Sequence, residues 1–360
     1  MFAERGLEPA QLGLALTVWS LTGFLLEAPS GVLADRVPRK HVLAIAQGIR
    51  AAGFFVWFAI PGLWGALLGF ALWGVKSACT SGCFEALVYD ELKAAGREDD
   101  YAKVLGRTKA VAHASVMCAS LAAAVLAPLG YGVLLIASVT AGLIAAALAA
   151  GFPKAPPAKA VADTSYLGHL GLSLRQAAAS PLILSLIVFL SLLDGVAGSI
   201  DEYWPIYGRE AGLGHAGVAL WFTVMSAAMI PAGLLSHHLE RWPQRALHGV
   251  LAAMGALLIL GAWFLQSWTI WLIVLFSMGY VMVSTVFEAR LQAAIPSETR
   301  ATVSSLAGLS TELGVMAVYG GFGLIAQATD YRHAFLAFGG FALAMGLVYG
   351  ARPLRLGRSP

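Results

Sequence analysis

Charge is what this sequence has least of. Only 12% of its 360 residues are Asp, Glu, Lys or Arg, against about 25% in soluble domains. That deficit excludes an ordinary water-soluble globule. Cysteine is also sparse: Cys79, Cys83 and Cys118 are the three, all in apolar segments. Cys79 and Cys83 are spaced by one helical turn, which suits neither a disulfide between elements nor a metal site without further ligands. They read as small packing residues. Alternating segments of about ten residues are missing, which excludes a membrane β-barrel. The first ten residues carry Glu4, Arg5 and Glu8 and lack the basic start and short apolar core of a cleavable signal peptide.

What fills the space is hydrocarbon. Hydrophobic residues make up 59% of the chain, and apolar runs of about twenty recur from end to end. Each is long enough to cross roughly 30 Å at 1.5 Å per residue. The fold class is therefore an all-α polytopic membrane protein. Eleven spans are expected, near 11–32, 42–60, 63–88, 107–128, 130–152, 182–207, 215–236, 246–266, 268–291, 302–327 and 332–351. Most connections are short. The exception, 153–181, holds Pro153, Pro156 and Pro157 and reads as a linker. It separates an N-terminal bundle of five spans (1–152) from a C-terminal bundle of six (182–360).

Basic residues fix the orientation. With the polar loop at 33–41 placed inside, eighteen of the 23 Lys and Arg residues fall on that side. Three, Arg5, Arg209 and Arg332, fall outside, and Arg50 and Lys76 lie within spans. The carboxyl terminus is expected in the cytoplasm and the amino terminus outside. No phosphate-binding G-x-x-x-x-G-K-[ST] loop is present, so ATP-driven transport has no support. "YGGFG" at 319–323 reads as close helix packing, not nucleotide binding.

The halves echo each other. "GCFEALV" at 82–88 matches "TVFEARL" at 285–291, and "PSGVLADRVPRK" at 29–40 matches "PAGLLSHHLERW" at 231–242. "TVWS" at 17–20 matches "TVMS" at 223–226. The order is kept and the offsets nearly agree, which points to a duplication. By that register, the span starting near Leu182 has its counterpart before Met1, so a first helix is expected to be absent from the chain as given.

"GVLADRVPRKHVL" at 31–43 resembles the loop signature of the major facilitator superfamily, G-x-L-A-D-R-x-G-R-K-x-x-L. Pro38 replaces the usual central glycine. "EAPSG" at 27–31 and "IPSETRATVSSL" at 295–306 are similar to stretches in bacterial members. The resemblance covers essentially the whole chain. It implies two pseudo-symmetric six-helix bundles, here with eleven spans. In the family the loop follows the second helix; here it follows the first. It also implies that Asp35, Arg36 and Arg39 join a charge network gating the inner side. Glu85 is the expected partner of Arg36 or Arg39. Glu288 repeats Glu85 and is expected to meet Arg241 or Arg290. Positive-inside charge alone accounts for Arg36, Arg39 and Lys40, but not for Asp35. The family's Gly-Pro antiporter signature is missing from "HASVMCASLAAAVLAP" at 113–128.

Ionisable groups at mid-span default to functional hypotheses. Counting along spans puts Lys76, Asp194 and Glu312 near the midplane and Glu27 in an inner third. A carboxyl group at that depth can take up and release a proton or pair with a cation; a fixed pair with another buried group is the plainer reading. Lys76 could simply neutralise one of the acids. Asp201, Glu202 and His113 are weaker candidates, and Arg50 reads as structural or snorkelling. Trp19, Trp73, Trp221 and Tyr280 could line an apolar pocket or simply pack. Together these features lead to a secondary transporter in a bacterial-type inner membrane. It would move a small solute by alternating access with proton coupling, and export an amphipathic compound. Its partners would be the lipid bilayer, the small-molecule substrate and protons. It would need no cofactor, metal or nucleic acid, would act as a monomer, and would not be an enzyme. The alternative is a non-transporting, MFS-like sensor or scaffold, raised by the missing helix.

Overall fold

In hydrocarbon every backbone N–H and C=O must be paired within the chain, so long apolar runs are driven into helices. The computed structural model describes residues 1–81, 83–97, 100–152, 180–295 and 300–351 and shows helices joined by short turns, with no strand among them. It divides into two compact units, Met1–Asp163 and Thr164–Pro360. The boundary falls inside the stretch read as a linker, most of which (153–179) lies outside the described residues.

The first unit holds α1 (Pro9–Arg36), α2 (Arg39–Ala59), α3 (Leu63–Thr80), α4 (Cys83–Ala94), α5 (Tyr101–Leu126) and α6 (Tyr131–Ala150). α1 packs on α3, and α2 packs on α3 and α6. The α2–α3 contact is reciprocal. Gly53 and Trp57 sit one turn apart on α2, and Gly69 and Trp73 one turn apart on α3. A Cβ at Gly69 would lie 2.1 Å from Trp57 Nε1, and one at Gly53 would lie 2.8 Å from Trp73 Cδ1. Each glycine is thus the notch that seats the other helix's indole. "GFFVW" and "GFALW" carry this arrangement in the sequence.

The second unit holds α7 (Pro181–Leu193), a π-helical segment (Asp194–Gly198), a 3₁₀ turn (Ile200–Tyr203) and α8 (Trp204–Glu210). α9 (His215–Leu239), α10 (Gln244–Phe264), α11 (Ile270–Ala294), α12 (Arg300–Ala328) and α13 (Tyr331–Ala351) follow. α9 packs on α11, and α10 packs on α11 and α13, the same pairing order as in the first unit. The α10–α13 seam is backbone on backbone: a Cβ at Gly255 would lie 2.2 Å from Leu343 N, and one at Gly346 would lie 2.4 Å from Ala252 N.

Among the described residues, ten helical stretches are long and apolar enough to cross a membrane, four in the first unit and six in the second. Ala114–Leu129 is a shorter apolar stretch.

Three expected boundaries move. The polar stretch read as a loop at 33–41 is mostly helix. α1 runs to Arg36, α2 begins at Arg39, and only Val37 and Pro38 lie between. Pro38 forces the break, because the residue before a proline avoids helical geometry; Val37 is extended at φ −115° and ψ 141°. The span read as 63–88 is interrupted after Thr80, where Ser81 turns to ψ 118°, so Cys79 and Cys83 are on different helices and both thiols are free. The span read as 182–207 leaves α-geometry at Asp194.

Candidate functional site: a carboxylate at a break in a membrane span

Asp194 opens the π-helical segment of the first span in the second unit. Such segments widen the helix by one residue and concentrate at functional sites. Tyr280 on α11 donates a hydrogen bond from its hydroxyl to Asp194 Oδ1 at 3.0 Å. Gly198 makes room for it: a Cβ there would lie 2.5 Å from Tyr280 Oη. Ser199 donates its hydroxyl to the Gly195 carbonyl, within the same segment. The break is thus held by one tyrosine from outside and one serine from inside.

The next contact brings in α12. A Cβ at Gly195 would lie 3.1 Å from the Gly314 carbonyl carbon, and one at Gly314 would lie 2.8 Å from Ser191 O. Asp194 precedes Gly195 by one residue and Glu312 precedes Gly314 by two, so the two mid-span acids flank a single glycine crossing. Beyond the break, Asp201 and Glu202 lie on the 3₁₀ turn, and both are exposed. Their neighbour Tyr203 is fully buried, stacks on Phe322 at 3.9 Å and donates to the Tyr319 carbonyl at 2.9 Å. That aromatic anchor sets the turn on which the two carboxylates stand.

The intramembrane charges of the first unit have other surroundings. Arg50 lies over Phe54 and Trp73, 5.8 and 5.6 Å from the ring centroids, two cation–π contacts. Lys76 is half-buried, and the charge within its electrostatic reach is Arg50. Within the first unit, no described acid pairs with it. Glu27 accepts a hydrogen bond from Ser81 at 3.2 Å. Ser30, one turn on, bonds to the carbonyls of Glu27 and Ala78, each at 2.9 Å. Glu27 therefore sits against the α3–α4 break.

At the Val37–Pro38 junction Arg39 forms an ion pair with Asp90 on α4. Glu85 was expected to meet Arg36 or Arg39, and it is not the acid that Arg39 meets. Helical phase explains the difference. Cys83 and Leu87 are the buried face of α4, and Asp90, three residues past Leu87, shares that face. Glu85 is two residues from Leu87, about 200° away, and is exposed. Lys40 donates to the Phe152 carbonyl at 3.0 Å. In the second unit Glu288 is exposed, and Arg290 does not meet it, because residues two apart on a helix face opposite ways. Arg290 instead donates to the Glu240 and Trp242 carbonyls, at 3.3 and 3.2 Å, where α9 ends. Asp35 and Arg36 form the last turn of α1; their side chains, and that of His113, lie outside the described residues.

The model of the Major Facilitator Superfamily matches residues 1–319. The chain belongs to the major facilitator superfamily. The inner membrane transport protein YajR of Escherichia coli K12 is 32% identical over 114 residues, which is 32% of this chain and 22% of YajR. Two crystal structures of the nucleoside transporter NupG share the fold at 16% identity. Their TM-scores are 0.83 for a mutant and 0.77 for the other form, over 98% of this chain and 92% of theirs. A D-xylose–proton symporter shares it at 13% identity and a TM-score of 0.76, over 100% of this chain and 92% of its own. This superfamily member is a multi-pass helical membrane protein and not an enzyme.

Within this member of the superfamily, Asp194 and Glu312 come to one crossing, whereas Glu27 and Lys76 lie in the other unit. Sequence reasoning missed Asp90, whose signal was the i, i+4, i+7 run Cys83, Leu87, Asp90. It also missed Tyr280 as a donor to Asp194; the sequence suggests for Tyr280 either an apolar pocket wall or simple packing. "DGVAGS" at 194–199, with two glycines and a serine after a mid-span acid, carried the helix break.

Proposed function

We propose that this protein is a secondary transporter of the bacterial inner membrane, moving a small solute by alternating access and coupling it to protons through Asp194. One observation carries the reading: a membrane-embedded carboxylate stands where its helix is broken, held by a single tyrosine hydroxyl. At such a site the backbone can change local geometry without losing a full turn of hydrogen bonds, and the carboxyl group can exchange a proton. Glu312, at the same crossing, is the second proton site, and Glu27 and Lys76 contribute from the first unit. Asp35, Arg36, Arg39, Glu85 and Glu288 form the inner gate, to which the Arg39–Asp90 pair adds a strut. The carboxyl terminus lies in the cytoplasm, a reading supported by the excess of basic residues on one side. The solute is an amphipathic compound leaving the cell.

The test uses the protein in liposomes with a panel of amphipathic compounds, nucleosides and pentoses. Wild type should accumulate one of these in response to an imposed pH gradient. Asp194→Asn should abolish the response to the gradient while keeping solute exchange, and Tyr280→Phe should weaken it. An unchanged gradient response in Asp194→Asn, Glu312→Gln and Glu27→Gln alike would refute proton coupling. No flux of any compound would refute transport.

A further inference from the structure

α2 and α3 are joined across residues 60–62 and run antiparallel. The glycine–indole contacts fix which residues face each other: Trp57 sits on Gly69, and Gly53 on Trp73. Four residues back along α2 are thus matched by four forward along α3. One more turn on each helix, three residues further, brings Arg50 opposite Lys76. The electrostatics agree, since Arg50 is the charge within reach of Lys76. Both cations belong to stretches long and apolar enough to cross a membrane, and Arg50 is near the middle of its own, Arg39–Ala59.

Two like charges facing each other at that depth are costly unless an anion joins them. The described residues of the first unit supply none. Arg50 meets the Phe54 and Trp73 rings, which carry no net charge, and no carboxylate there pairs with either cation. Glu27, the acid within a span of this unit, accepts from Ser81 instead. Both cations remain open to a ligand: Arg50 is exposed and Lys76 half-buried. Beside them is an apolar wall. The Trp73 ring lies 5.2 Å from Phe54, 4.9 Å from Trp57 and 5.8 Å from Trp19 on α1.

We propose that Arg50 and Lys76 together bind the acid group of an amphipathic carboxylate, whose apolar body lies along the Trp73 side of the α2–α3 seam. The two oxygens of a carboxylate match the paired N–H groups of the guanidinium, and the ammonium adds a third charged hydrogen bond. A phosphate dianion would have to shed far more hydration on entering the span. A neutral or cationic solute would leave the two charges unmet. This assigns a substrate class to the transport proposed above and rests on that reading.

Binding to the purified full-length protein in a non-ionic detergent tests the site without requiring flux. The probes are radiolabelled 4-phenylbutyrate, 4-phenylbutanol and 4-phenylbutylamine, which share one body and differ in the head group. Phenylbutyrate should bind and raise the melting temperature; the alcohol and the amine should do neither. Arg50→Met and Lys76→Met should each weaken phenylbutyrate binding about tenfold or more, the scale of a charged hydrogen bond. Lys76→Arg, which keeps the charge, should retain it to within about threefold. Lys76→Met should melt no lower than wild type without ligand, so its loss of binding is not a loss of fold. Laurate should displace phenylbutyrate. Displacement at lower concentration than unlabelled phenylbutyrate supports an acid drawn from the bilayer, and at higher concentration one drawn from water. Equal binding of the three probes, or phenylbutyrate binding that survives both Arg50→Met and Lys76→Met, would overturn the site. Liposome flux separates the two readings. Carboxylate binding with no flux of any compound refutes transport and leaves the site standing, whereas flux of the amine or alcohol without carboxylate binding refutes the site and leaves transport standing.

Discussion

In the first unit Arg50 and Lys76 sit on continuous stretches of α2 and α3, and Arg50 lies over the rings of Phe54 and Trp73, the latter seated by Gly53. In the second, Asp194, Asp201 and Glu202 lie where a span passes from α- to π- to 3₁₀-helix. The first arrangement packs charge against aromatic faces in a fixed frame. The second places charge where backbone hydrogen bonding is already irregular and a side chain, Tyr280, completes it. Charges inside the spans therefore do not share one kind of surroundings: Arg50, in an unbroken, interlocked pair of helices, is held against two rings, and Asp194, at a helix break, is held by one hydroxyl.

The largest effect should come from breaking the interlock. At Gly69 a Cβ meets the Trp57 ring at 2.1, 2.5 and 2.7 Å, and Trp57 is only 5% exposed, so the indole has nowhere to retreat. Gly69→Ala should cost on the order of 1–3 kcal/mol, as overpacking does, seen as a lower melting temperature in detergent. Gly198→Ala meets only the outer end of Tyr280, whose hydroxyl can shift. It should lose less stability yet change the pH-gradient dependence of transport, because Asp194 loses its donor. A Gly69→Ala protein with wild-type stability would undo the contrast, as would a Gly198→Ala protein with unchanged coupling.

How much of this could be read beforehand depends on the residue. Low charge and twenty-residue apolar runs settle a helical membrane protein without a structure, since hydrocarbon leaves the backbone no other local solution. Mid-span position is countable from helix rise alone, which is what singles out Asp194 and Glu312 as candidates. Partner choice was not. Arg39 selects Asp90 over Glu85 because α4 starts afresh at Cys83 and sets its own phase, and the break after Thr80 that fixes this phase leaves no apolar gap in the sequence. The π-helical break was hidden for the same reason: "LLDGVAGSI" stays apolar enough to read as one span.

A smaller effect sharpens the view of the first unit's charges. Lys76 lies within reach of Arg50, a like charge, and Arg50 gains from its two rings. Lys76→Met should therefore stabilise the protein by about 0.5–1 kcal/mol, the scale of a partly exposed charge interaction. Arg50→Met should cost a similar amount through lost cation–π contact. In the Arg50→Met background the gain from Lys76→Met should shrink, which a double-mutant cycle of melting temperatures measures. Strict additivity would show that the two cations do not interact.

The smallest effect concerns how the last helix of each unit begins. α6 starts after Gly130, at φ +94°, with no side chain capping it. α13 starts after Asp330, whose Oδ1 accepts the His333 N–H at 2.8 Å. Asp330 is thus an N-cap, and the same oxygen meets His333 Nδ1 at 2.8 Å. The His333 backbone donor is the main reason that the Asp330 carboxyl stays below the usual carboxylate range, with His333 and Arg332 adding favourable charge. A carboxyl group whose acidity is increased by folding stabilises the fold where it is ionised in both states. That contribution is complete above the unfolded value near 4 and fades as pH falls through the lower folded value. Asp330→Ala should cost about 0.5–1 kcal/mol at neutral pH, the lower range for a lost cap. Asp330→Ser should recover most of it, because a hydroxyl also caps, yet it should lose the additional decline in stability below about pH 4 that the ionised cap produces. If Asp330→Ala and Asp330→Ser melt alike at neutral pH, the cap contributes nothing and α13 starts as unassisted as α6.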